Sequence, residues 1–370
     1  MEERAQAWFA RRTSRWQDWP VDWLLAAKRR LGVTVSVVIP ARDEQGTVGG
    51  VVRAVSGALV TRVPLVDELV VIDSDSADCT ADVAAEAGAV VYRAAEIMAS
   101  AGSFPGKGEA LWKSLLVTKG DLIVFIDADL TRWGPHFVTG LLGPLLADQE
   151  VRLVKGFYTR VRAEADGSTS ADGGRVTELV ARPLISLWWP ELAGVVQPLA
   201  GEWAARRSLM ESLSIPVGYG VELATLMDTA AGHGLDSVAQ VDLGSRAHRH
   251  QANHDLALMA AELLLVAERR SAAGPRRAAS AGLHQFVRDA GGRAQPVTRP
   301  VPVQERPPVA SLAERPPVTP GRERPAAAGG ADEVSLIVGS ASYRTAAGDT
   351  EGGGGAEGGG GAAGAGGAGD

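Results

Sequence analysis

Two aspartates one residue apart, Asp127 and Asp129, close an apolar run in the stretch "KGDLIVFIDADLTRW", Lys119 to Trp133. Residues i and i+2 of an extended chain point to one side, so both carboxylates are expected to converge on one object. A hard divalent cation, Mg²⁺ or Mn²⁺, is the simplest such object, because it takes carboxylate oxygen and commonly carries phosphate on its other faces. The alternative is a strand end that drops into solvent through a polar turn. Lys107 stands in "PGKG", where flanking glycines let the backbone come close to a ligand; taken alone it is equally a solvated loop lysine. In "GGRVTEL", Gly173 and Gly174 open a helix whose first amides can receive a phosphate, with Arg175 adding a forked cation and Thr177 a hydroxyl. The competing view is a helix start that needs Gly and Thr only for its geometry. Tyr219 and Glu222, in "GYGVE", share a face if that segment is helical.

These residues need a scaffold, and the chain supplies one in regular order. "VTVSVVIP", Val33–Pro40, is a β-branched run that predicts a strand buried on both faces. Thr47 is placed to cap the helix that "VGGVVRAVSGAL" predicts, weakened by Gly49 and Gly50. A second strand, Glu68–Ile72, ends on Asp73, and "CTADVAAEAG" predicts a second helix stopped by Gly88. "AVVYR" is a third strand, "GKGEALWKSLLVT" a third helix and "DLIVFIDAD" a fourth strand. Strands alternating with helices imply an α/β fold with parallel βαβ units and right-handed crossovers. Ligands of such sheets lie off the carboxyl ends of the strands, which is where "PARDE", "DSDS" and "DAD" fall. A dinucleotide fingerprint G-x-G-x-x-G is missing after the first strand and no G-x-x-x-x-G-K-[ST] occurs, which disfavours NAD, FAD and P-loop chemistry.

Composition limits the folded part of the 370 residues to roughly the first 290. From about Gly291 the chain is Pro/Arg/Glu-rich and then Gly/Ala-rich, with "ERPPV" at both Glu305–Val309 and Glu314–Val318, a composition that predicts a disordered tail. The expected division is an N-terminal arm (1–32), two halves of an α/β domain (33–150 and 151–290) and that tail (291–370). Trp8, Trp16, Trp19 and Trp23 are expected to dock the arm. A net charge of −7 disfavours nucleic acid as partner. The single cysteine, Cys79, excludes an intrachain disulfide and fits a reducing cytoplasm. No stretch reaches the length of a membrane span; "LALMAAELLLVA" is too short and carries Glu262.

Taken together, strands ending "VVIPARDE" and "VIDSDSADCT" and the later "FIDADL" resemble the glycosyltransferases of the GT-A fold, a Rossmann-like, mostly parallel sheet whose D-x-D binds the metal of a nucleotide sugar. "PGKGEALWKSL", "GGRVTELVARPL", "QPLAGE", "GYGVELATLMDT" and "QVDLGSRAHRH" resemble, in the same order, the actinobacterial glucosyl-3-phosphoglycerate synthase family, over roughly Trp16 to Val266. The resemblance implies transfer of glucose from UDP-glucose to the 2-hydroxyl of 3-phosphoglycerate with retention, by a cytoplasmic homodimer. It implies a donor site of Pro40, Ala41, Glu44, Ser74, Lys107, Asp127, Ala128, Asp129, Leu199, Tyr219 and Glu222, with Glu44 on the ribose and Ser74 on the uracil edge. Glu222 would face the glucose hydroxyls, and Asp129, Glu222 and Lys107 would carry the catalysis. The acceptor would meet Gly174, Arg175, Thr177 and His250. Asp129, Asp127 and His248 would hold Mg²⁺ or Mn²⁺, the imidazole favouring Mn²⁺.

Three residues depart from the family pattern: Asp43 stands for an Asn, Asp75 for a Gly, and His250 for an Asn. The two aspartates are expected to add charge near the nucleotide, and His250 to replace an amide at the acceptor carboxylate. Retention without an evident nucleophile points to front-face substitution, in which the departing UDP phosphate takes the acceptor proton, over a double displacement on Glu222. The competing functions are a transferase using GDP-mannose or a polyprenyl-phosphate acceptor, a non-catalytic nucleotide-sugar-binding protein, and a scaffold acting through its Pro-rich tail.

Overall fold

Val35, Val37, Val38 and Ile39 are wholly buried in the computed structural model, which requires that both faces of their strand be covered. That strand belongs to an eight-stranded sheet. In chain order the strands are β1 (Thr13–Arg15), β2 (Val35–Ala41), β3 (Glu68–Asp73), β4 (Val90–Arg93), β5 (Leu122–Phe125), β6 (Leu153–Arg160), β7 (Trp203–Arg206) and β8 (Val238–Arg246). They lie in the order β1-β8-β6-β7-β5-β2-β3-β4. Only β7 runs antiparallel to its neighbours, β5 and β6. All the other pairs are parallel, so the carboxyl ends of β2, β3, β5, β6 and β8 share one edge. The structure describes residues 1–160, 162–163, 169–170, 174–246, 253–271, 281–288 and 294–313, all within one unit, Met1–Ala326.

The helices are α1 (Glu3–Arg12), α2 (Val21–Leu31), α3 (Val48–Val55), α4 (Thr80–Glu86), α5 (Lys107–Val117), α6 (His136–Ala147), α7 (Arg182–Trp188), α8 (Arg207–Ser212), α9 (Val221–His233) and α10 (Asn253–Arg270). The two-residue period of β2 divides them between two cores. Val35, Val37 and Ile39 pack with α2, α3 and α6. Val38 faces the other way, into a core with α5 and α9. Helix α5 is buried along nearly its whole length, which fixes its first residue, Lys107, at the functional edge of the sheet.

Several expectations need correction. The N-terminal arm is part of the sheet: β1 pairs with β8, and Trp8 Nε1 donates to Val238 O at 2.9 Å. Trp19 seats on Gly143, where a Cβ would strike its ring, whereas Trp23 stays exposed. One sheet runs through the division expected at residue 150. The boundary at residue 291 also fails, because Ala294–Val301 pairs with Ala281–Arg288 and Glu305–Arg306 with Ile215–Pro216. Apolar composition alone missed this, since Arg306 and Val309 are buried against partners far away in sequence. Thr47 stands at the N-cap of α3 as expected but makes no side-chain capping bond; its hydroxyl donates to the Glu44 carboxylate at 2.8 Å instead. Finally β5 stops at Phe125, so Asp127 and Asp129 lie beyond the strand.

Candidate active site

Asp127 and Asp129 therefore converge for a reason other than strand alternation. Arg246, the last residue of β8, places Nη2 3.2 Å from Asp127 Oδ2 and 3.1 Å from Asp129 Oδ1. The same guanidinium gives Nη1 to Glu202 Oε2 at 2.8 Å and to the Tyr158 hydroxyl at 2.5 Å. On the other side, Lys107 Nζ lies 2.5 Å from Asp127 Oδ1 and 2.7 Å from Glu222 Oε1. Gly201 permits the close approach, since a Cβ there would collide with the Asp127 carboxylate. Helix α9 presents the buried Glu222 from its first turn. Tyr219 lies in the turn before α9, so it does not share a helical face with Glu222; its amide donates to Glu262 Oε2 at 2.6 Å.

The charges of this cluster are coupled. Burial pulls the Lys107 ammonium down, but the carboxylates of Asp127 and Glu222 outweigh it and hold it well above the usual lysine range. Burial likewise acts against ionised Asp127, and Lys107 with Arg246 outweighs it, holding that carboxyl well below its ordinary value. Asp129 goes the other way, pushed up by burial and by the charge of Asp127. Lys155, beneath the cluster with Nζ on Ala200 O at 2.8 Å, is pushed down by burial to about 8. Lys107, Arg246 and Lys155 thus stand against Asp127, Asp129, Glu202 and Glu222. Carboxylate charge exceeds cationic charge, and Asp129 shares the Arg246 guanidinium with Asp127 and Glu202, so the cluster is short of positive charge. A divalent cation fits that need and that donor set, with Asp129 and Asp127 as its carboxylates. Among the described residues no group of three potential ligands forms; His248, the expected third ligand, lies outside them, as does His250.

The nucleotide side is built from β2 and β3. Pro40 and Ala41 close β2, and Ser74 N donates to Ala41 O at 2.8 Å, drawing the two strand ends together. Glu44 is held by Thr47 and by its amide's bond to Thr80 Oγ1 at 2.8 Å. Asp73 is buried with Oδ1 lacking a partner among the described residues, and burial raises its carboxyl. Asp43 and Asp75 both have left-handed backbone, φ 54° and 57°. Asn, Gly and Asp tolerate that conformation, so both departures conserve backbone shape. Asp43 Oδ1 accepts from Ala77 N at 2.8 Å, tying the loop after β2 to the loop after β3. Ala128 is buried and Leu199 half-buried.

In the segment expected to meet the acceptor, Glu178 N donates to Gly174 O at 3.0 Å, so a helical turn begins at Gly174, passes through the π-helical Thr177–Ala181 and enters α7. Arg175 is exposed there and Thr177 buried. Sequence reasoning passed over Arg246, Glu202, Tyr158 and Lys155. Arg246 and Glu202 lie inside quoted motifs, but nothing local signals that Arg246 answers residues 117 and 119 positions away.

A mostly parallel sheet carrying an acidic pair faced by cations at the carboxyl edge of its strands suits a nucleotide-sugar-dependent glycosyltransferase, and the family description "Glycosyl transferase family 2" matches residues 36–165. Glucosyl-3-phosphoglycerate synthase of Mycolicibacterium paratuberculosis is 43% identical over 311 residues, covering 82% of this chain and 92% of that protein. The enzyme of the same name from Mycobacterium tuberculosis is 44% identical, covering 79% and 89%. A crystal structure of the M. tuberculosis enzyme with Mn²⁺ and UDP-glucose superposes with a TM-score of 0.70 at 43% identity, covering 79% of this chain and 95% of that one. Another holds Mn²⁺, UDP and phosphoglyceric acid. The chain belongs to the glucosyl-3-phosphoglycerate synthase family.

Proposed function

We propose that the chain transfers glucose from UDP-glucose to the 2-hydroxyl of 3-phosphoglycerate with retention at the anomeric carbon. The observation that carries this reading is the position of Lys107 Nζ between Asp127 and Glu222. It joins the carboxylates suited to a diphosphate's metal to the carboxylate suited to sugar hydroxyls, so diphosphate and glucose have adjoining places. The buried, unpartnered Asp73 Oδ1 supports uracil, whose imide N–H is a donor for such an oxygen. Asp127, Asp129 and His248 would hold the divalent cation, which supplies charge neutralisation for the leaving diphosphate.

Glu222 is ion-paired with Lys107, which favours binding of glucose hydroxyls over nucleophilic attack and supports front-face substitution. On that route Lys107 and Arg246 turn from carboxylates to the departing phosphate, whose oxygen takes the acceptor proton. Glu44 suits the ribose, Ser74, Pro40, Ala41 and Ala128 line the nucleotide, and Leu199 and Tyr219 border the sugar. Gly174, Arg175 and Thr177 suit the acceptor phosphate, and His250 its carboxylate. Among the described residues no helix is long and apolar enough to cross a membrane, and the cytoplasm is the compartment we assign. Exposed Leu179, Leu187 and Trp188 support a homodimer. The test is UDP, GDP or sugar release from UDP-glucose, GDP-glucose and GDP-mannose, each with 3-phosphoglycerate and Mn²⁺. UDP-glucose should be turned over best; preference for GDP-mannose, or binding without turnover, would replace this reading by one of its competitors.

A further inference from the structure

The first "ERPPV" segment is part of the folded protein. Arg306 is almost fully buried. Its guanidinium makes a forked pair with Glu109, Nε to Oε2 at 2.7 Å and Nη2 to Oε1 at 2.6 Å. Two further donors go to main-chain carbonyls, Nη1 to Ala101 O at 2.9 Å and Nη2 to Gly102 O at 3.0 Å. Its carbon Cζ lies 4.5 Å from the Phe104 ring and 4.9 Å from the Trp112 ring. Trp112 Nε1 donates to Pro307 O at 2.8 Å. On its other side the segment pairs with Ile215–Pro216, and Val217 N donates to Gln304 O at 3.1 Å.

Both stretches it grips lead directly into the donor site. Residues 101–106 end at Lys107, and residues 215–218 end one residue before Tyr219 and four before Glu222. The two stretches also meet each other. Gly108 N donates to Gly218 O at 3.1 Å and Glu109 N to Val217 O at 2.9 Å. Cβ atoms on Gly106 or Gly108 would collide with the carbonyl oxygens of Val217 and Pro216. Glu109, in the first turn of α5, is buried too, and among the described residues its only other cation is Lys113, 3.4 Å away. A planar fork that satisfies a carboxylate and two carbonyls at once is a task for arginine, which lysine cannot reproduce.

We infer that residues 304–309 form a strap that positions the donor-site residues, with Arg306 setting the separation of Lys107 and Glu222. Arg306 is a positioning residue acting through Glu109 and the two stretches. The inference rests on the reading of Lys107 as a donor-site residue.

The test uses the full chain and steady-state kinetics on both substrates. Arg306→Ala should raise the KM for UDP-glucose about tenfold or more, while the KM for 3-phosphoglycerate at saturating donor changes less than about twofold. Arg306→Lys, which keeps a cation against Glu109 but loses the carbonyl bonds, should lie between, and it carries the test if Arg306→Ala is insoluble. Arg315→Ala, the same residue of the second "ERPPV", should match the unaltered chain. An unchanged donor KM in the Arg306 variants, equal rises for both substrates, or an equal effect of Arg315→Ala would overturn the strap. Lys107→Ala in the same assay separates the two claims. If it leaves the donor KM unchanged, the donor-site reading fails; if it raises that KM while the Arg306 variants do not, only the strap fails.

Discussion

At the scale of single residues, Asp129 carries a carboxylate whose charge is disfavoured by burial and by Asp127. A divalent cation would reverse that cost, so the residue is expected to matter to turnover more than to folding. Asp129→Ala should lower transfer by about two orders of magnitude or more with melting temperature retained, and chelation by EDTA should do the same to the unaltered chain. Near-normal turnover of Asp129→Ala would remove the metal from the account. Glu262 offers a test of stability. Burial pushes its carboxyl from an ordinary 4.5 to about 7, so between those values the folded state holds protons that the unfolded state has released. Its contribution is present at acid pH and is lost as pH rises through about 7. Glu262→Gln keeps an acceptor for Tyr219 N and should melt about 2–4 °C above the unaltered chain at pH 8, with the gap closing towards pH 5. A gap that widens on acidification would contradict the sign.

At the scale of elements, the parallel strands and crossover helices from Val35 to Phe125 were legible, because continuous β-branched runs alternate there with helical patterns. The residue types at the strand ends were legible too. What escaped was how they meet. Asp127 and Asp129 converge past the end of β5 through ion pairs with Lys107 and Arg246, and no period of the local sequence encodes a bond to β8. Thr47 has the chemistry of a cap and spends its hydroxyl on Glu44. Asp43 and Asp75 read as added charge, and nothing in the local sequence announced that both also take left-handed backbone. The turn from Gly174 into α7 carries its own prediction. If it binds the acceptor phosphate, Arg175→Ala should raise the KM for 3-phosphoglycerate by about tenfold or more with little change for UDP-glucose. Equal effects on both substrates would make Arg175 structural.

At the scale of the whole molecule, composition drew the edge of the fold too early. The stretch 294–313 reads as tail by its prolines and charges, yet it pairs with Ala281–Arg288 and Ile215–Pro216 and is pinned by the buried Arg306, an indole hydrogen bond and Val309. Long-range pairing of that kind is invisible to any window of sequence. A chain ending at Ala313 should therefore keep its melting temperature and its transfer activity. One ending at Pro302 should lose both, because Glu109 would be left buried with only Lys113 to answer it. Equal behaviour of the two chains would return residues 303–313 to the tail.

The central claim, glucosyl transfer with retention onto the 2-hydroxyl of 3-phosphoglycerate, is tested most directly by following the reaction of the full chain with UDP-glucose, 3-phosphoglycerate and Mn²⁺ by proton NMR. The anomeric proton of the first product formed should carry the small coupling of an α-glucoside and correlate with carbon 2 of the glycerate. A β-glucoside, linkage elsewhere on the acceptor, or release of free glucose alone would contradict it.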